Sequence, residues 1–349
     1  MTDHNTTDVT RDGLHGARPD REAVTGADDG KPVRPRRKGK GGRGEQPMVP
    51  EAAFDSYYGK PVLNAPVWEP LDIAGYLFLG GLAGASSALA AAAHRAGYGE
   101  LAKVARITAG GAISGSAAAL VHDLGRPAKF FNMLRVFKVT SPMSLGSWLL
   151  AAYGPVAGAS AASALTGTFP RTGRAAAGIA GVMGPAVATY TAALICNTAV
   201  PAWHDAHREM PYLFAGSAAT AAGGIGLLTV RPDRAVPAAR LAVAGAVTEL
   251  AAGYLMERRL GPAAEPYRTG EPGELMLAAR ILTATGTAAA LAARGRSRLL
   301  SVTAGATLVA ASAVTRFGVF HAGRASARDP KQTIAPQRTR AAARAWPPR

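Results

Sequence analysis

Cysteine is almost absent: Cys196 stands alone in 349 residues. One thiol makes no intrachain disulfide, and an iron–sulfur cluster takes about four Cys ligands. Histidine is scarce as well. The seven are His4, His15, His94, His122, His204, His207 and His321, none in the middle of an apolar segment. A di-haem cytochrome b needs paired His ligands at depths that sandwich the haem, so that class is excluded. No Gly-rich nucleotide signature follows a strand pattern. The first 45 residues hold no apolar h-region, so no cleavable signal peptide is expected and the later segments drive insertion. Aromatic residues make up 6% of the chain, and none interrupts the basic run at 31–43, which has seven Lys or Arg and no acid. Single-stranded nucleic acid is held by cations interleaved with stacking aromatics, so no nucleic-acid partner is expected. The run reads as a solvated arm or as a contact for anionic lipid head groups.

A mean hydropathy of +0.08 suits a soluble protein only until the chain is divided. Residues 1–66 form a polar, basic tail, expected to be disordered, and 322–349 a second basic tail. Between them, residues 67–321 are dominated by Ala, Gly, Leu and Val. A bilayer core of about 30 Å needs about 20 mainly apolar residues per helix. Eight segments qualify: 70–93, 102–121, 144–166, 175–199, 212–230, 238–256, 275–293 and 299–320. Lys103 and Arg106 sit near the start of the second, where long basic side chains can reach the interface. No period-2 alternation supports a barrel. The expected fold is all-α, a polytopic integral membrane protein of about eight transmembrane helices.

An even number of spans puts both tails on one side, the tail face. The longer connections, 122–143, 200–211 and 257–274, share it. The tails argue that this face is cytoplasmic, while Arg171, Arg174, Arg231, Arg234, Arg294, Arg296 and Arg298 in the short loops argue the reverse.

Polar residues gather where spans meet the tail face. Span 1 opens on Trp68, Glu69 and Asp72, with Tyr76 one turn inside. Span 2 leaves through His122 and Asp123, span 3 opens around Ser141 to Trp148, and span 4 carries Tyr190 and leaves through Trp203, His204 and Asp205. A quinone needs such a boundary: its tail stays in lipid, its carbonyls take Tyr or His donors, and its turnover moves protons through groups that titrate near neutrality. The plainer reading is an interfacial aromatic belt with His122, Asp123 and Arg126 capping helix ends. Deeper in the bilayer lie Glu249 and Arg280. Charges there pair or mark a path, which suggests a Glu249–Arg280 or Glu249–Arg316 pair, with Glu249 and Asp205 as proton-path candidates.

HDLGRP at 122–127, SPMSLGSW at 141–148, PAWHDA at 201–206, GYLFLGGLAG at 75–84 and the ending at 316–338 resemble the NrfD-like family, the polysulfide reductase type of membrane subunit. The resemblance covers residues 60–338. It implies two four-helix bundles in a multi-pass plasma-membrane protein without haem or cluster of its own. Menaquinone or another quinone would bind near the face where a ferredoxin-like iron–sulfur subunit docks, which connects it to a molybdopterin catalytic subunit. By the same resemblance, quinone contacts fall on Tyr190 in span 4 and near Asp72 and Tyr76 in span 1, where the family member has Asn and His. His122, Trp203 and His204 complete the expected quinone site, with His122, Asp123 and Tyr190 as the reacting groups. Arg126, Lys129, Arg135, Lys138 and Arg208 would meet the acidic partner. The alternatives are an anchor without quinone chemistry and a small-solute transporter. A transporter calls for broken helices in both halves, and Pro155 and Pro185 both lie in the first.

Overall fold

The computed structural model describes residues 68–123, 132–293 and 296–334, with Leu63, Pro66 and two strands near the N-terminus. The strands, β1 (Asp8–Thr10) and β2 (Gly13–His15), pair antiparallel within the N-terminal tail. The helices are α1 (Pro70–Arg95), α2 (Gly99–Asp123), α3 (Pro142–Thr166), α4 (Pro170–Cys196), the short α5 (Pro201–Asp205), α6 (Met210–Thr229), α7 (Val236–Leu260), α8 (Gly270–Ala293) and α9 (Arg298–Arg328). A 3-10 turn, Gly261–Tyr267, follows α7. Among the described residues eight of these helices, all but α5, are long and apolar enough to cross a membrane. The protein is all-α and multi-pass.

Proline writes many of the boundaries. Pro70, Pro142, Pro170 and Pro201 each occupy the first helical position, where a missing N–H costs nothing and φ is already set. That is why α4 stops at Cys196, three residues before the apolar segment does: the chain must leave the helix to enter Pro201. Pro155 and Pro185 lie inside unbroken helices instead. The last helix overruns its apolar segment, so the tail boundary set at residue 322 falls within α9.

Helix α1 packs against α2 and α4, α2 against α3, and α3 against α4. Helix α6 packs against α7 and also against α1 and α4, and residues 66–326 form one compact unit. With little hydrophobic drive between helices in lipid, close backbone approach supplies the contact. At the α1–α4 crossing, a methyl on Gly84 or Gly184 would collide with the other's carbonyl oxygen. Gly216 of α6 and Gly245 of α7 make a second such crossing, where a Cβ would come within 2.7 Å of the opposing carbonyl.

Two basic residues find partners on neighbouring helices. Arg106 reaches toward the first turn of α4, with its Nη2 beside Gly173. Its Nε donates to Ser160 Oγ at 2.8 Å and its Nη2 to Ser160 O at 2.7 Å, binding α2 to α3. Arg280 pairs with Glu257 rather than with Glu249. Both acids lie on one stripe of α7, two turns apart, and Glu257 is the one nearer the tail face, where it also accepts from Arg268 Nε at 3.1 Å.

Candidate functional site

The start of α1 and the end of α2 meet at the tail face through two polar contacts. His122 Nδ1 lies 2.6 Å from Asp72 Oδ2, and the Glu69 backbone N–H donates to Asp123 Oδ1 at 3.2 Å. A carboxylate only accepts, so Nδ1 carries a proton, and Nε2 is the ring nitrogen left to exchange one with the surroundings. The side chain of Asp72 is 16% exposed and that of His122 80%. The pair thus has an anchored acid and an imidazole in contact with its surroundings, suited to receiving and releasing protons. Asp123 is used differently, tying α2 to the N-terminus of α1. Tyr76, one turn inside, is buried, and its backbone carbonyl accepts from Ser116 Oγ at 3.2 Å.

Tyr190 sits on α4 with its ring against Gly146 of α3, so close that a Cβ at 146 would lie 2.5 Å from the ring. Its hydroxyl is buried and has no hydrogen-bond partner among the described residues. A phenol normally finds a partner when buried, and leaving one unpaired costs about 1–3 kcal/mol. An oxygen acceptor brought to this point would remove that cost. Tyr153, by contrast, donates to Ala83 O and lies against Ser87 Oγ, each at 2.7 Å. The two tyrosines look alike in the sequence, and only packing separates the satisfied one from the open one.

Trp203 is fully buried in a stack between Trp68, at 6.0 Å, and Phe320, at 5.9 Å. Its indole N–H donates to Val319 O at 2.8 Å. With its N–H engaged, Trp203 can offer the expected quinone site an aromatic wall and no donor. Tyr267 and Ser326 hold the same short helix, donating to Ala202 O at 2.8 Å and accepting from Ala202 N at 3.2 Å respectively. His204 is exposed, with Nδ1 3.2 Å from Cys196 O. Asp205 takes part through its backbone carbonyl, which accepts from Arg259 Nη2 at 2.6 Å. Arg259 also grips Glu209 through Nε and Nη2, both at 2.6 Å, and holds that carboxyl below its ordinary value. Nothing in the sequence pattern marked Glu209, Arg259 or Tyr267, since their partners lie about 50 or more residues away.

Of the basic residues expected to face a partner, Arg135, Lys138 and Arg208 are exposed, while Arg126 and Lys129 lie outside the described residues. Ser144 Oγ pins the loop before α3, donating to Val136 O at 2.7 Å and accepting from Lys138 N at 3.0 Å. The loop presents Val136, Phe137 and Val139 uncovered beside its two cations.

The polysulphide reductase NrfD family model matches residues 61–256, more than half of the chain. The chain belongs to this family. No curated protein matches it. The NrfD match runs from the approach to α1 through most of α7 and includes every tail-face residue from Asp72 to Asp205. Glu257, α8 and α9 lie beyond it. In this NrfD protein a cavity of about 440 Å³ opens at the other end, lined by Leu227, Val236, Arg240, Val243, Leu291 and Ser301 among others. Its lining offers no acid–base pair, whereas the tail face brings His122 Nδ1 within 2.6 Å of Asp72 Oδ2.

Proposed function

We propose that this protein is the membrane subunit of a multisubunit oxidoreductase that exchanges electrons and protons with the quinone pool at its tail face. The observation that carries the reading is the buried, unpartnered hydroxyl of Tyr190 at a boundary that also holds the Asp72–His122 pair. NrfD-family subunits are associated in general with quinone and with iron–sulfur and molybdopterin partners. The residues fit a quinone head group: a free O–H donor, an aromatic wall at Trp203, and an imidazole oriented by a carboxylate. When bound, a quinone supplies carriage of two electrons and two protons. The chain's own part is to orient and to handle protons. Tyr190 donates a hydrogen bond to a carbonyl oxygen, Asp72 fixes the His122 tautomer, and His122 Nε2 holds or passes a proton at the membrane boundary. Tyr76, Asp123 and His204 shape the same boundary, and Asp205 and Glu249 serve the proton path. Within this reading the eight spans act as two four-helix halves in the plasma membrane. An azido-quinone photolabel is expected to mark the α3–α4 segment around Gly146 and Tyr190 in membranes. Label confined to α6–α9 would sink this placement.

Electrons need a carrier, and this chain brings neither the cysteines nor the paired histidines that would hold one. The second half of the proposal is that a ferredoxin-like iron–sulfur subunit, linked to a molybdopterin subunit, docks on the tail face. Support comes from Arg135, Lys138 and Arg208, exposed beside uncovered Val136 and Phe137. Ala206, in the same connection, is fully buried and cannot report on docking, whereas His207 is exposed. A photo-reactive residue at His207 is expected to capture a Cys-rich subunit from the intact complex. The same probe at exposed Thr172, in the first turn of α4 at the opposite end of the spans, is expected to capture none. Capture from Thr172 alone would reverse the choice of face.

A further inference from the structure

The core between α7, α8 and α9 holds polar atoms that the tail-face site leaves unused. Glu249 is 4% exposed, and its Oε1 accepts from Thr315 Oγ1 at 2.6 Å. Its Oε2 is buried without a partner among the described residues, and so is Thr283 Oγ1 on α8. Both residues line one cavity of about 20 Å³, with Leu213, Gly253, Arg280 and Thr315 in its walls. A buried water needs roughly 10–15 Å³ and two or more polar partners. The cavity has room for one water, and two orphaned oxygens mark where it would bond.

The cavity also has a direction. Glu249, Gly253 and Glu257 follow at intervals of four on α7, so they stack on one face. The eight residues from Glu249 to Glu257 span about 12 Å of helix. Gly253 leaves this stripe open: a Cβ there would meet only Leu213 Cδ1, at 3.6 Å. Arg280 lines the cavity and pairs with Glu257, which Arg268 also holds near the tail face. The charged groups around Glu249 are Arg316 from α9, Arg280 from α8 across the cavity, and Glu257 on its own helix. Helix α6 offers the hydroxyls of Ser217 and Thr220.

We propose that this cavity binds a single water, held between Glu249 Oε2 and Thr283 Oγ1, through which Glu249 exchanges its proton, making Glu249 an internal proton-loading group. A proton entering from the Arg280 side of the cavity reaches the water, and the water passes one to Glu249 Oε2. The reverse sequence discharges it, and no electron moves. The proposal deepens the proton path named above, but neither Tyr190 nor bound quinone enters it.

Infrared difference spectroscopy of the full chain in membranes tests it. A pH step is expected to produce a carboxyl C=O signal that Glu249→Gln removes. Deuterium exchange of that signal is expected to slow at least about tenfold in Thr283→Val and in Gly253→Leu, the factor set by about 1.4 kcal/mol of barrier. Thr283→Ser keeps a hydroxyl and is expected to exchange at the parental rate. Should Gly253→Leu fail to fold, the Thr283 pair alone decides. Absence of a Glu249-dependent signal, or parental exchange in Thr283→Val, overturns the proposal. Tyr190→Phe leaves the Glu249 signal intact, so the fate of the quinone site and that of the water relay are read separately.

Discussion

Tyr190→Phe is expected to cut quinone-linked turnover by about 10²-fold, the scale on which one lost donor to a developing oxyanion acts in well-studied sites. It is also expected to leave stability unchanged or slightly raised. The hydroxyl it removes is buried and bonded to nothing within the described chain, so the substitution breaks no internal bond and relieves a desolvated group. Tyr153→Phe is the control with the opposite profile. It strips Ala83 O and Ser87 of their partner, which costs about 1–3 kcal/mol in unfolding, and leaves turnover near parental. His122→Ala removes the imidazole oriented by Asp72 and is expected to slow the same assay. Turnover measured with purified quinol analogue, alongside thermal unfolding in the same detergent, separates these effects. Parental turnover in both Tyr190→Phe and His122→Ala would move the site elsewhere.

The largest effect on stability is expected at Arg316. Its side chain is fully buried on α9, with the guanidinium 3.6 Å over the Phe214 ring and Nη2 donating to Phe214 O at 2.7 Å. Nε and Nη1 have no partner among the described residues, and Glu249 is the acid whose field it feels. Arg316→Met takes the cation away from a carboxyl that stays buried, and breaking such an arrangement costs about 3–5 kcal/mol. Replacing both charges is a different matter: Glu249→Gln with Arg316→Met leaves no ion uncompensated and should recover most of the loss. Denaturant unfolding of the two single variants and the double variant gives the coupling directly. An Arg316→Met protein as stable as the parent, or a double variant no better than the single, would show that the two groups do not compensate each other.

The spans were legible because the bilayer leaves few options: apolar runs near 20 residues must become helices, and Pro70, Pro142, Pro170 and Pro201 mark where several begin. The polar boundary was legible too, since Asp72, His122 and Trp203 all lie at helix ends on one side. Hydrogen-bond partners were not. Sequence reasoning offered Arg280 only Glu249, and the approach of α8 gives it Glu257 instead, two turns along the same stripe of α7. The Trp203 N–H goes to Val319 O, 116 residues away, which no local pattern announces. Arg106 carried no sign of its partner, Ser160 on the neighbouring helix, which accepts from it twice. Tyr190 was reached by resemblance to a family. Its open hydroxyl is a property of packing that no local pattern encodes.

The aromatic stack at the tail face joins positions 68, 203 and 320, which enter the membrane at the beginning, the middle and the end of synthesis. During translation Trp68 and Trp203 emerge long before Phe320, and until then one face of the indole and its N–H have no partner. Closure of this end therefore waits for the final helix. A chain cut short before α9 would expose aromatic surface and an unbonded indole at the membrane boundary, features that quality-control proteases and chaperones recognise. Only a complete polypeptide supplies both Phe320 and the Val319 carbonyl, so this end of the protein is the last to close.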